Sequence, residues 1–183
     1  MEKVTVNELL SIDLKGKIVC FPTDTVYGVG AIYNDLEAIN KIYLMKKRDY
    51  SKPLAILTNT KDIDQYIKYK SKKALELINN GWPGALTLIF EKSEVIDDII
   101  TSGKNTIAFR MPNSKIALAI LDKFGLMATT SVNLSGEKPL NDINEIEKLF
   151  SDYIDYLVID KETVNGKPSR IIDVTKDKEV IIR

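Results

Sequence analysis

Residues 18–57 read IVCFPTDTVYGVGAIYNDLEAINKIYLMKKRDYSKPLAIL. Ile18–Phe21 is a short apolar run stopped by Pro22, the form a buried strand takes. From Leu36 to Lys46, apolar residues recur at three- and four-residue spacing, which is the stripe of an amphipathic helix. Leu54–Leu57 is a second apolar run, entered through Pro53. Strand, helix and strand in this order predict an α/β domain built on a central sheet.

The pattern continues outward. Further strands are expected at Leu86–Phe90, Thr106–Arg110, Leu126–Thr130, Tyr156–Ile159 and Ile171–Val174, with a last one at Val180–Ile182. Helices are expected from Ser71 to Asn80, Ser114 to Phe124 and Ile143 to Phe150, with Gly81 and Gly125 as C-terminal stops. Several strands follow one another without a helix between them, so the open, twisted sheet should be mixed rather than all-parallel. A length of 183 residues, 44% of them hydrophobic, suits one core, and residues 1–183 are read as one domain.

Composition narrows the chemistry. Lys and Arg number 26, as do Asp and Glu, so no global field draws the chain to nucleic acid or to an anionic membrane, and any anion site must be local. There is no histidine, which removes Ser-His-Asp and Cys-His nucleophile systems and imidazole acid–base work. The single cysteine, Cys20, excludes an internal disulfide and reads as a buried strand position. No run approaches the roughly 20 apolar residues of a membrane span. The start Met1-Glu2-Lys3 lacks an apolar signal core, so a cytoplasmic protein is expected.

Four segments could carry chemistry, and each has a structural alternative. Phe21-Pro22-Thr23-Asp24-Thr25-Val26-Tyr27-Gly28-Val29-Gly30 ends a strand in a hydroxyl-rich turn that could present donors to a ligand, or could bond only its own backbone. Lys46, Arg48 and Lys52 gather positive charge where polyphosphate oxygens could lie, although basic residues also complement a helix C-terminus. Trp82-Pro83-Gly84 reads as scaffold around a packed indole. Ser131-Val132-Asn133-Leu134-Ser135-Gly136 places hydroxyls and an amide at a strand end, where α/β sheets hold ligands, or forms a plain turn.

Taken in order, these segments resemble the YrdC-like family: the proline-threonine-acid-threonine turn, Lys-x-Arg before Pro-Leu, Trp-Pro-Gly, and Ser-x-Asn-x-Ser-Gly. Ala108-Phe109-Arg110-Met111-Pro112 and Pro168-Ser169-Arg170-Ile171-Ile172-Asp173 extend the likeness, which runs from about Ile18 to Asp173. The resemblance implies a concave, positively charged pocket and synthesis of threonylcarbamoyl-AMP and pyrophosphate from L-threonine, bicarbonate and ATP. That product serves a separate transferase, which modifies adenosine beside the tRNA anticodon. By motif match, Lys46, Arg48, Ser131 and Asn133 are implied as catalytic, and Thr25, Tyr27 and Ser169 as threonine-binding. Arg48, Lys52, Arg110, Asn133, Asn141 and Arg183 are implied as ATP-binding. Magnesium is expected to arrive with ATP, and no metal ligand is assigned.

Three departures stand out: Leu57 where many relatives carry histidine, Lys52 where many carry asparagine, and Arg170 in place of a threonine. The competing readings are a family member of another activity, an RNA-binding module with a local basic concavity, to which weak tRNA contact would belong, and, ranked last, a carbamoyl-transfer domain of the type fused in hydrogenase-maturation proteins.

Overall fold

The computed structural model describes residues 1–176 and 180–183. The strands are β1 (Glu2–Val4), β2 (Val19–Phe21), β3 (Gly28–Ile32), β4 (Ala55–Leu57), β5 (Leu86–Glu91), β6 (Thr106–Arg110), β7 (Met127–Ser131), β8 (Tyr156–Val158), β9 (Arg170–Asp173) and β10 (Val180–Ile181). The helices are α1 (Val6–Leu9), α2 (Leu36–Met45), α3 (Lys72–Gly81), α4 (Asp98–Thr101), α5 (Lys115–Phe124) and α6 (Ile143–Phe150), with one 3₁₀ turn at Asp64–Tyr66. None is long and apolar enough to cross a membrane.

All ten strands form one sheet in the order β1-β8-β2-β3-β7-β4-β6-β5-β9-β10. Parallel pairs (β1 with β8, β2 with β8, β4 with β6, β5 with β9) are interspersed with antiparallel ones, so the sheet is mixed as expected. The expected strands and long helices all form, with ends moved by one or two residues. Two strands and two four-residue helices were not foreseen: β1, β3, α1 and α4.

In β3, Gly28, Gly30 and Ala31 give no β-type signature. Gly30 is needed for space, because a Cβ there would lie 2.4 Å from Thr129 Cγ2 and 3.0 Å from the Ala128 carbonyl. Gly81 does not act as a helix stop. It is the last residue of α3, and the chain leaves through an extended Trp82. Gly125 does end α5, at φ 78°.

Side chains alternate between the sheet faces along each strand. One face sends Val29, Ile56, Leu88, Phe109, Ala128 and Ile172 into a core completed by α2, α3, α4 and α6. The other face is only half covered: α1 and α5 pack Leu9, Ile116, Ile120 and Leu121 over Val19, Phe21, Met127 and Val158. Over β7, β4, β6, β5 and β9 this face carries no helix and instead shows Thr129, Ala55, Ala108, Thr87 and Ile171. These mostly small or hydroxyl-bearing side chains leave room above the sheet, and that room is the candidate site.

Candidate active site

The uncovered half-face forms the floor of an open cavity of about 800 Å³. Its rim and walls bring together Thr25, Arg48, Arg110, Ser131, Asn133, Ser169 and Arg183, seven of the residues singled out in the sequence. Among the described residues, the basic Arg48, Arg110, Lys138 and Arg183 line it against one acid, Glu137.

One wall is the turn after β2. Thr23 Oγ1 donates to the Val26 carbonyl (2.7 Å) and accepts from the Thr25 amide (3.2 Å), so the turn does bond its own backbone. It also grips a partner from β6. Arg110 Nη1 donates to Thr25 Oγ1 (2.7 Å), Nη2 to Asp24 Oδ1 (2.5 Å), and Nε to the Gly84 carbonyl (3.0 Å). Burial pulls the Arg110 pKa down, opposed by the adjacent Asp24 carboxylate. The Trp-Pro-Gly turn is scaffold around a packed indole, and it also orients Arg110. Trp82 Nε1 donates to the Leu86 carbonyl (2.8 Å) and the Gly84 amide to the Met111 carbonyl (2.8 Å), which fixes the carbonyl that orients Arg110. Asp24 carries no mark in the sequence beyond its place in the turn, since its partner lies 86 residues away.

The second wall begins where α2 ends. Lys47 sits at φ 47°, and the Arg48 amide reaches back to the Tyr43 carbonyl (2.9 Å) while that of Lys47 reaches Leu44 (3.0 Å). This is a left-handed helix stop of the Schellman type. It reverses the chain and turns Arg48 onto the cavity. Arg48 is half-buried, and burial lowers its pKa. Its Nε donates to the Lys52 carbonyl (2.9 Å) and Nη2 to the Pro53 carbonyl (2.8 Å). These two bonds lock the fork in place while leaving N–H donors free for a ligand.

Lys46 takes a different place from the one expected. It is fully buried and does not line the cavity. Its Nζ donates to the Ser131 carbonyl (2.5 Å), the Asn133 carbonyl (2.8 Å) and Asn133 Oδ1 (2.6 Å), beneath the strand-end turn. Ser131 Oγ also donates to Asn133 Oδ1 (2.8 Å), and Asn133 Nδ2 donates to the Glu137 carbonyl (2.7 Å). The turn that presents Ser131 and Asn133 is thus held from below by Lys46.

At the far end of the sheet, Thr87 and Ser169 share a buried hydroxyl–hydroxyl hydrogen bond of 2.8 Å. Arg183 Nε donates to the Ser169 carbonyl (3.1 Å), and the Arg183 and Ile171 main chains pair at 2.9 and 3.3 Å, so Arg183 is docked beside the cavity. The segment before Ser169 closes over this side: the Gly166 amide donates to the Thr25 carbonyl (2.8 Å), and Glu162 accepts from the Lys115 amide at the start of α5 (2.7 Å).

Three other expected contacts are not on the cavity. Tyr27 lies next to Gly28, and the period of two that turns Gly28 to the cavity turns the Tyr27 phenol into the opposite core, where burial raises its pKa. Asn141 accepts the Tyr27 amide at Oδ1 (3.2 Å) and braces the turn without lining the cavity. Lys52 is exposed and contributes its carbonyl, not its ammonium, by holding Arg48. Among the departures from the family pattern, Leu57 lies at the cavity edge packed into the α5 core. Arg170 is exposed and lines a smaller hollow with Leu77, Asn80 and Leu86, away from the site. Thr23, Thr87 and Lys138 were missed; for Thr87 the available signal was a hydroxyl at an alternate position in an otherwise apolar strand.

The family model Sua5_yciO_yrdC, described as telomere recombination, matches residues 12–183. The threonylcarbamoyl-AMP synthase of Pyrococcus abyssi is 35% identical over 171 residues, covering 92% of this chain and 50% of the relative. A putative threonylcarbamoyl-AMP synthase of Methanocaldococcus jannaschii is 35% identical over 172 residues, covering 93% of this chain and 80% of the relative. The crystal structure of P. abyssi Sua5 complexed with L-threonine superposes with a TM-score of 0.93 at 31% identity, over 100% of this chain and 57% of that one. The chain therefore spans about half the length of the P. abyssi protein.

Proposed function

This chain belongs to the Sua5/YciO/YrdC family, and from that premise we propose that it is a threonylcarbamoyl-AMP synthase acting on L-threonine, bicarbonate and ATP. The observation that carries the reading is the superposition of the whole chain on a relative that holds L-threonine, together with a cavity whose two ends suit an amino acid and a polyphosphate. The reaction is nucleotidyl transfer. Threonine's amine adds to carbon dioxide drawn from bicarbonate and loses a proton, a carbamate oxygen then bonds to the α-phosphorus of ATP, and pyrophosphate leaves with the bonding pair.

Such chemistry asks for position and charge neutralisation more than for a strong base, in keeping with a chain that lacks histidine. Arg110, aimed by Asp24, Thr25 and Gly84, has N–H donors left for the threonine carboxylate, and the Thr87–Ser169 hydroxyl pair flanks the same end. Arg48, its fork fixed by two carbonyls, faces the polyphosphate with Lys138, and Arg183 reaches the nucleotide from the side of Ser169. Ser131 and Asn133 present the carbamate and nucleotide contacts between these ends. Magnesium would be carried by ATP as its counter-ion, since among the described residues the cavity lining offers the single carboxylate of Glu137. The enzyme works in the cytoplasm, and its product passes to a separate transferase that modifies adenosine beside the tRNA anticodon.

Pyrophosphate release from ATP tests this, with each co-substrate omitted in turn. Release should require both L-threonine and bicarbonate. Equal turnover in buffer stripped of carbon dioxide would mean that the carboxylate is adenylated instead, and the reading would fail.

A further inference from the structure

Lys46 is the one lysine buried among the described residues, and its ammonium has no carboxylate within ion-pair distance. Its three acceptors are neutral: two main-chain carbonyls and the Asn133 amide oxygen. An ammonium has three N–H donors and serves all three. A neutral amine has two, and must leave one oxygen facing its lone pair. The shape of the Ser131–Asn133 turn is therefore tied to one proton. Asn133 Oδ1 is pinned by Lys46 and Ser131 Oγ together, and this fixes which side of the amide donates to Glu137.

Burial drives the Lys46 pKa down to about 7, and the neighbouring Arg48 guanidinium pushes the same way. The other charged side chains near the turn, Glu137 and Lys138, line the cavity and are not in contact with the ammonium. A buried cation with no counter-ion lies under the same turn whose upper side faces the cavity.

We propose that Lys46 is a positioning residue, not a phosphate ligand, and that it takes up a proton when a polyphosphate anion settles over Ser131 and Asn133. This rests on the cavity being the nucleotide site. The bound anion supplies the negative charge that Lys46 lacks, which favours the ammonium, and the ammonium in turn completes the turn that holds the anion. Affinity should be greatest where Lys46 is already protonated, below about pH 7. It should fall as pH rises toward the higher value in the complex, by up to about tenfold per pH unit.

The test uses the wild-type chain labelled with ¹³C-lysine, titrated by NMR with and without ATP in excess magnesium, which keeps the nucleotide's own phosphates deprotonated. One lysine Cε resonance should titrate near neutral pH in the free protein and at least one pH unit higher with ATP bound. Calorimetry at pH 8 in buffers of different ionisation enthalpy should show net proton uptake on ATP binding. ATP that binds with no proton uptake and no shifted lysine titration overturns the assignment and leaves the synthase reading standing. ATP that does not bind overturns both.

Discussion

Replacing Asp24 by asparagine removes one charge from behind Arg110, in the turn that forms one wall of the cavity, and almost nothing else. Arg110 has a side chain only 8% exposed, and that of Asp24 is 17% exposed, so their ion pair is screened far less than a surface pair. Taking one partner from a buried pair costs roughly 3–5 kcal/mol, because the remaining charge is left uncompensated. Asparagine keeps an oxygen acceptor for Nη2, and water reaches part of the site, so the loss should be nearer 1.5–3 kcal/mol, the range for a hydrogen bond to a charged group. For a chain of this size that corresponds to a melting temperature lower by roughly 3–12 °C. Asp24→Ala, which removes the acceptor as well, should lie beyond that range. Arg110 also carries the Thr25 hydroxyl, so the threonine end of the cavity should loosen with it. Steady-state pyrophosphate release should show the threonine KM raised about tenfold, equivalent to ~1.4 kcal/mol, with a much smaller change for ATP. Unchanged melting together with an unchanged threonine KM would refute the claim that Asp24 holds Arg110 in place.

Arg48→Ala should lower kcat/KM by about 10²–10³, the loss typical of a preorganised donor to developing charge, with little change in melting temperature because the side chain is only half-buried; activity assays and thermal melts on the same preparation check both. Ser131→Ala and Asn133→Ala should each weaken substrate use by roughly 1–3 kcal/mol. Because both side chains belong to one network on Lys46, the double variant should lose clearly less than the sum, which a double-mutant cycle measures. Gly30→Ala should destabilise by roughly 1–3 kcal/mol through the clash of its new Cβ with Thr129, and Thr129→Ser, which deletes the clashing methyl, should restore part of the loss on denaturant unfolding.

The strands at 55–57 and 106–110 and the helices at 36–45 and 143–150 were legible because apolar runs of the right period are bracketed there by proline, glycine or capping residues. β3 was not. Its glycines answer to the closeness of Thr129 and to the open cavity, constraints imposed by a strand about 100 residues away. That omission also explains the misplacing of Tyr27. Without β3 there is no period of two to separate the core-facing Tyr27 from the cavity-facing Gly28. Arg48 lines the cavity while the neighbouring Lys46, read together with it as one basic cluster, is buried beneath the turn at Ser131; a left-handed residue between them separates the two side chains, and the sequence alone does not show it. Motifs identified which residues gather at one place; burial and hydrogen bonding decide which of them touch the cavity and which hold the others.

The most direct measurement is isotopic. The chain is incubated with ATP, magnesium, L-threonine and ¹³C-bicarbonate, and the nucleotide products are weighed by mass spectrometry. A synthase of threonylcarbamoyl-AMP yields an AMP adduct that contains threonine and carries one ¹³C from bicarbonate. A threonine–AMP adduct without the label, or ATP consumed with no threonine-dependent adduct, would contradict the proposed function.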